Sequence, residues 1–419
     1  MRNNLFFRKE NIRSIFILIL ISLLYTFPSF IMLNTNVFNY EVFMGIRYIG
    51  VVIISIIFVF IYLKLFTTDN NRLIVPYKNV NIGVLLIWLT FSSGIFFSQV
   101  INQEFPFQGV YFLIVVPLLF FLMIPLTISE IANKIIAMAL LLSGGIFLIF
   151  SFLFEPINFD RSYFGITDNS NSLGYLATQT GIAAFCLLLN AFKNRKKILV
   201  YLFILIFLLS TFFVFLSHSR TSFIVLLVTC FSTMLIFMLQ NNIKLRNLFL
   251  PALIFIGVYY WQLRDLLMDG VISKFDRLGE EGDLLNTRDE IWLQIINDAN
   301  LIGNGSDYFD ETPFSPHSSI FSIIGEFGII SGLLLVVMYV TTIYLSLKFA
   351  IQRKDESFSY LPFSIILAFI LFSFTEGMFG TVGKGLTLAY FNSIGVCIFL
   401  NKSMHNKKIS RNTDFHDHQ

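Results

Sequence analysis

The chain has 419 residues, of which 56% are hydrophobic and only 13% charged, with a formal net charge of +3 and a mean hydropathy of +0.76. A soluble domain carries about 25% charged residues, so a soluble enzyme is excluded, and the small, scattered positive charge excludes a nucleic-acid-binding face. Lipid satisfies no backbone polar groups, so a body this apolar has to be built of helices.

Apolar runs long enough to span begin near Ile12, Phe43, Val80, Phe107, Ile131, Leu173, Ile198, Thr221, Leu248, Ser319, Leu361 and Leu386, about twelve helices of the roughly 20 residues a bilayer requires. The expected fold class is an all-α polytopic membrane protein with one long external loop containing short helices. The first run is long, lacks a small-residue cleavage site and is followed by others, so no cleavable signal is expected. The 51 Phe residues read as lipid-facing filler. Cys186, Cys230 and Cys397 fall inside apolar runs without C-x-x-C spacing, which suggests packing residues and neither a disulfide nor a metal site.

Arg2, Arg8, Lys9 and Arg13 precede the first run, and every second connection after it is basic, including Lys64, Arg72 and Lys78, the KNRKK stretch at 193–197, and Lys348, Arg353 and Lys354. The positive-inside rule then places both termini in the cytoplasm. It sends four polar segments to the external face: EPINFDRSYFGITDNSNS (155–172), SHSR (217–220), the loop 264–318 and TEGMFGTVGKG (375–385). No ATP or nucleotide-sugar is available there, so a reaction must draw on a bond already present in its substrate. The chain divides into N-terminal helices over 1–154, a core over 155–400 that includes the loop 264–318, and a polar cytoplasmic tail over 401–419.

Within the long loop, TRDEIWLQIINDANLIG predicts an amphipathic helix with Ile291, Ile295 and Ile296 on one face and a capping box from Thr287 to Glu290. GNGS at 303–306 is turn chemistry, and the region around Pro313 and Pro316 reads as extended. His317 precedes the next membrane helix, which carries Glu326 where a carboxylate needs a partner or a wet cavity. Gly325, Gly328 and Gly332 suit close helix packing.

Taken singly, each of these residues has a plain structural reading. Arg220 and Arg288 snorkel to lipid phosphates as readily as they bind substrate. His317 and His218 serve as structural groups, Asn169 and Asn171 as turn and N-cap residues, Arg161 as a surface partner of Asp160 or Asp168, and Glu326 as an interhelical hydrogen-bonding group. Together they weigh differently, because three external segments each offer an arginine, one adds His317, and a membrane-embedded carboxylate follows it. Arginines hold a diphosphate bidentately without metal, and a histidine beside them accepts a proton from an attacking hydroxyl. The chemistry suggested is displacement of a lipid-linked diphosphate.

Four segments carry a resemblance: RSYFGITDNSNSLGYLA, SHSRTSFIVLL, TRDEIWLQIINDANLIGNGSDYF and PHSSIFSIIGEFGIISGLLL. In order and spacing they resemble the motifs of the O-antigen ligase/Wzy polymerase superfamily, bacterial membrane glycosyltransferases acting on polyprenyl-diphosphate-linked glycans. The resemblance runs from about Arg161 to Glu376, with Ser318 standing where members commonly carry asparagine, and the first 150 residues add helices but no motif. It implies that Arg220 and Arg288 contact the donor diphosphate with Arg161 as a third basic contact, and that His317 orients or deprotonates the acceptor hydroxyl with Glu326 in support. Asn171 and His218 support the site, and neither metal nor other cofactor is expected.

The reading it implies is a polymerase in the bacterial cytoplasmic membrane, active on its external or periplasmic face. It would assemble capsule, exopolysaccharide or O-antigen from oligosaccharide repeat units on undecaprenyl diphosphate. The lipid bilayer is its setting, a chain-length regulator and a flippase are its implied protein partners, and no nucleic acid is involved. A ligase that transfers the same donor to a terminal acceptor is the alternative. A transporter or flippase for these lipids is a weaker one, because it should show internal repeats and polar residues at mid-membrane depth in both halves.

Overall fold

The computed structural model describes residues 2–35, 39–68, 81–128, 131–157, 161–241, 288–310, 315–354, 356–379 and 383–399. In chain order the helices are α1 (Arg2–Thr26), α2 (Tyr40–Thr68), α3 (Ile82–Ile101), α4 (Phe107–Ile128), α5 (Ala132–Phe154), α6 (Ser170–Lys193), α7 (Lys197–Leu216), α8 (Arg220–Asn241), α9 (Arg288–Asp298), α10 (Ser319–Gln352), α11 (Leu361–Ser373) and α12 (Gly385–Phe399). The protein is an all-α polytopic membrane protein: among the described residues there is no strand, and nine helices are long and apolar enough to cross a bilayer. Every expected span coincides with one of these helices except that near Leu248, which lies outside the described residues. So do Thr287 with its capping box, Asp160, Pro313 and the tail 401–419.

The bundle is organised around α6, where 83% of the apolar window is buried, against 22% for α2 on the periphery. Small and polar residues make this possible: Gly174, Ala177, Thr178, Gly181, Ala183 and Ala184 are all buried in α6 and let neighbouring helices approach closely. Helices α11 and α12 have 13 and 15 residues, short of the roughly 20 a bilayer demands, and almost all of both is buried. The phenylalanines correct one expectation. Phe91, Phe112, Phe121 and Phe391 surround Trp88 in edge-to-face contacts with ring centroids 5.0–6.0 Å away, and the Trp88 Nε1–H donates to Phe112 O at 2.7 Å. Part of the aromatic content therefore builds the core, where offset rings fill space and gain a quadrupole attraction.

The two ends of the bundle differ. At one end the basic connections adjoin: Lys193 Nζ donates to Lys354 O at 3.2 Å, and Arg353 pairs with Glu356 at 2.8 Å. The opposite end collects the polar segments. Tyr163 N donates to Leu216 O, Asp168 N to Met32 O, and Ser319 Oγ to Glu376 O.

At that end α10 is broken. Gly328 has φ +88° and ψ 168° inside the helix, so Ile329 N no longer reaches Gly325 O. The segment Asn300–Gly305 repairs the break. Ile329 N donates to Asn300 O, Asn304 N to Gly325 O, and Gly305 N to Glu326 O, each at 3.0 Å. The loop is shaped by its own Asx turn, in which Asn300 Oδ1 accepts from Ile302 N and Gly303 N at 2.9 and 2.6 Å. A side chain at Gly303 would strike the backbone of Glu326 and Phe327, and one at Gly328 that of Leu301 and Ile302. The G-x-G and E-x-G stretches are thus two halves of one interlock, and Gly328 is a hinge in the chain where the sequence suggested only a packing glycine.

Gly328→Ala should cost about 1–3 kcal/mol in backbone strain alone and lower the midpoint of thermal unfolding in detergent. Gly45→Ala, in α2 where an added methyl meets nothing, should hold or raise that midpoint by gaining about 1 kcal/mol of helix propensity. Equal midpoints for the two variants would contradict the interlock.

Candidate active site

The long loop reaches the bundle through α9. Arg288 and Trp292 lie one turn apart on a single helical face. Trp292 stacks on Phe321 of α10 with centroids 4.7 Å apart and an interplanar angle of 11°, and its Nε1–H donates to Pro316 O at 2.8 Å. This clamp brings Arg288, at the start of α9, to the chain that carries His317. The inward face of α9 is centred on Ile295, which is fully buried, while Ile296 is 53% exposed. The apolar face expected from Ile291, Ile295 and Ile296 is thus rotated toward Trp292, whose large ring claims the contact.

His317 sits in a left-handed turn (φ 45°), immediately before Ser318 and the first residue of α10. The main charges acting on it are Arg288, Glu376 and Lys384. Its imidazole is held below the usual value near 6.5, first by partial desolvation and then by the positive charge of Arg288; Glu376 opposes this and Lys384 adds to it. The ring is therefore neutral near pH 7 and able to accept a proton. Ser318 is buried and donates to Ser373 O at 3.4 Å, and Ser319 Oγ accepts from Met378 N at 2.8 Å. Those bonds tie the start of α10 to the segment that carries Glu376.

SHSR repeats this backbone device. His218 is also left-handed (φ 49°) and also followed by a buried serine, with Arg220 as the first residue of α8. The turn is held by Ser219 Oγ–Ser222 Oγ at 2.9 Å and by Tyr163 N donating to Leu216 O at 2.8 Å. It packs directly on Gly174, where a Cβ would meet the hydroxyls of Ser217 and Ser222 at 2.7 Å. The next residue, Tyr175, lies beneath Lys384, whose Nζ is 5.0 Å from the ring centroid. Lys384 is lowered from its ordinary value by burial, while Glu376 and Asp168 push it back up and Arg47 opposes them.

Arg288 acts electrostatically on His317 across the Trp292 clamp, while the Arg220 turn packs on Gly174, the neighbour of Tyr175 over whose ring Lys384 lies; Glu376 acts on both His317 and Lys384 through its charge. Arg161 is exposed two residues ahead of Tyr163, and Asn171 is exposed in the first turn of α6, which Asn169 caps by accepting from Ser172 N at 2.9 Å. Glu326 is placed elsewhere. Its electrostatic neighbours are Glu104, Asp307 and Asp310, and nine residues of helix, about 13 Å of rise, separate it from His317. The carboxylate acting on His317 is Glu376.

Three residues escaped the sequence reading. Glu376 and Lys384 lie in a segment singled out as external but given no role. Arg47 is inside an apolar run, only 5% exposed, and donates to Gly383 O at 3.2 Å. An arginine within a span was itself a signal, since such a charge is costly unless function or pairing retains it. The resulting centre holds Arg288, Lys384 and Arg47 against Glu376 and Asp168, with the Arg220 turn adjoining, and suits a multiply charged anion.

Residues 205–337 match a family model described as O-antigen ligase. The matched stretch includes Arg220, Arg288, His317 and Glu326, and is shorter at both ends than the resemblance from Arg161 to Glu376. No curated protein matches the chain.

The electrostatics of the site make His317 a measurable reporter. Histidine-selective NMR in detergent should find its pKa below 6.5, and Arg288→Gln should raise it, because removing a neighbouring positive charge makes the imidazolium easier to form. A value unmoved by the substitution would separate the two residues.

Proposed function

We propose that this chain polymerises lipid-linked oligosaccharide repeat units on the outer face of the cytoplasmic membrane, a reading supported by the match of residues 205–337 to a family model described as O-antigen ligase. The observation that carries this reading is the gathering of Arg288, His317, Lys384 and Glu376 at one end of the bundle, within and beside the matched segment.

In the proposed reaction a hydroxyl of the acceptor sugar attacks the anomeric carbon of the donor glycan. The bond from that carbon to the undecaprenyl diphosphate oxygen breaks, and the hydroxyl proton passes to the neutral imidazole of His317. The leaving diphosphate gains negative charge, which Arg288 and Arg220 hold through bidentate hydrogen bonds, with Lys384 as a further cation. Glu376 favours the imidazolium once it forms. Trp292 fixes the loop so that Arg288 and His317 share one frame. Arg161, at the rim, is the third basic contact proposed for the donor, and Asn171 and His218 support the site.

The description of the matched family favours a second reading, a ligase that delivers the same donor to a terminal acceptor. One experiment separates the two. A strain deleted for the gene is complemented with wild type, Arg220→Ala, Arg288→Ala or His317→Ala, and its lipid-linked glycans are resolved on a gel. Accumulation of single repeat units on the lipid is expected for a polymerase, with losses of 100-fold or more for His317→Ala, in line with the roughly 10²–10⁴-fold contribution of general base catalysis. Long polymer retained on undecaprenyl diphosphate would identify a ligase. Wild-type polymer in all three variants would remove these residues from the site.

A further inference from the structure

A second polar site lies at the same end of the bundle, away from the basic centre. Between the end of α3, the start of α4 and the GNGS loop is a cleft of about 470 Å³ lined by Gln103, Glu104, Phe105, Phe107, Gln108 and Asp307, over a floor that includes Gln99 and Ser306. Its size falls in the roughly 300–1,000 Å³ range of small-molecule sites.

Its floor is rigid. Glu104 accepts from both the N–H and the hydroxyl of Ser306, at 2.6 Å each. The buried Gln99 amide donates to Ser306 Oγ at 3.0 Å and accepts from Gly109 N at 2.9 Å. The rim differs: among the described residues the side chains of Gln103, Gln108 and Asp307 have no hydrogen-bond partner in the protein. Gln103 is held there by a left-handed backbone (φ 60°). Phe105 and Phe107, 82% and 57% exposed, complete the rim with two apolar faces.

Two free amides, two carboxylates and two exposed rings are the groups that a polyhydroxylated ring calls for. Amides both donate to and accept from vicinal hydroxyls, carboxylates accept from them, and aromatic faces cover the apolar C–H side of a sugar. Among the described residues no lysine or arginine lines the cleft, so a diphosphate or an acidic sugar is disfavoured there, while neutral and amino sugars are not. The cleft also borders the interlock of α10. Glu326 O accepts from Gly305 N beside it, and Asp307 and Glu104 act on Glu326. The first segment of α10, about 13 Å long, leads from there to His317, a distance spanned by a few sugar units.

We infer that this cleft is a glycan-binding subsite for neutral or amino sugars, which holds an oligosaccharide several units away from the bond being exchanged. The inference rests on the proposed glycan-transfer reading for its biological role, but binding is testable without it. Oligosaccharides released by mild acid from the strain's own lipid-linked glycans serve as the probe, with purified protein in nanodiscs and saturation-transfer NMR as the readout. Inorganic pyrophosphate serves as the comparison ligand.

Wild type and Arg288→Ala should bind the free oligosaccharide alike. Phe105→Ala, Gln108→Ala and the shape-conserving Asp307→Asn should each weaken it several-fold, and the triple variant by 10-fold or more, with unfolding midpoints unchanged because these side chains are exposed or bear no structural hydrogen bond. Pyrophosphate binding should show the reverse pattern, weakened by Arg288→Ala and indifferent to the cleft variants. Oligosaccharide binding that is absent in wild type, or equal in wild type and the triple variant, would overturn the subsite and leave the two phenylalanines as lipid-facing residues. If instead the cleft variants lose oligosaccharide while Arg288→Ala and His317→Ala sustain full polymer in cells, the transfer reading fails and the glycan site stands.

Discussion

The break in α10 at Gly328 is the constraint on which the rest of this end of the molecule depends. A helix interrupted inside an apolar bundle leaves a donor and two acceptors that lipid cannot satisfy. Here the peptide groups of Asn300, Asn304 and Gly305 satisfy them, with three backbone bonds in register. That requirement brings a distant loop into the bundle and orients everything attached to it. N-terminal to the interlock are α9 and its clamp on Phe321; C-terminal to it are Ser306 and the cleft. Ahead of the break, the first segment of α10 runs back to His317 at its start. One repaired helix thereby sets the relation between a basic centre and an acidic, amide-rich one.

The separation of charge at that end follows. Arg288, Lys384 and Arg47 are gathered around Glu376 and Asp168, while Glu104, Asp307, Asp310 and Glu326 share the other flank. Like charges crowded together in a poorly hydrated place are unfavourable unless something compensates. On the basic side compensation is partial, which favours an anionic guest. On the acidic side much of the cost is met by hydrogen bonds from Ser306 and by exposure of Asp307 and Asp310 to water.

Much of this was legible in the sequence, because hydropathy reports local burial. The spans follow from runs of residue type and the grouping of the polar segments from loop charge, whereas the association of Arg288 with His317 is what the motif resemblance implies. Trp292 was visible as a motif residue, though the rotation of α9 that it causes was not, since Ile296 and Trp292 compete for one face and ring size decides. Glu326 lies among Glu104, Asp307 and Asp310 because the loop docks on α10 beside it, a grouping of residues far apart in the chain that helix periodicity does not carry. Arg47, Glu376 and Lys384 were missed for a related reason. Their significance lies in contacts such as Arg47 with Gly383, 336 positions apart, and no periodicity along the chain carries that information. Likewise the first 150 residues held no recognisable motif, yet Gln99, Asn102 and Glu104 hold the loop.

The Glu104–Ser306 contact spans 202 positions, and that distance bears on how the protein is made. Chains are synthesised and inserted from the N-terminus, so α3 and α4 are in the membrane long before the loop emerges. During that interval Glu104 has no Ser306 to engage, and the carboxylate relies on water at the membrane surface. The break in α10 cannot be repaired until the loop has been made and has folded back. Contacts of such sequence separation form slowly, because loop closure must precede any reward from them. This end is therefore the last part of the molecule to be completed, and a chain that inserts every helix correctly keeps a broken α10 until a short stretch of glycine and asparagine docks.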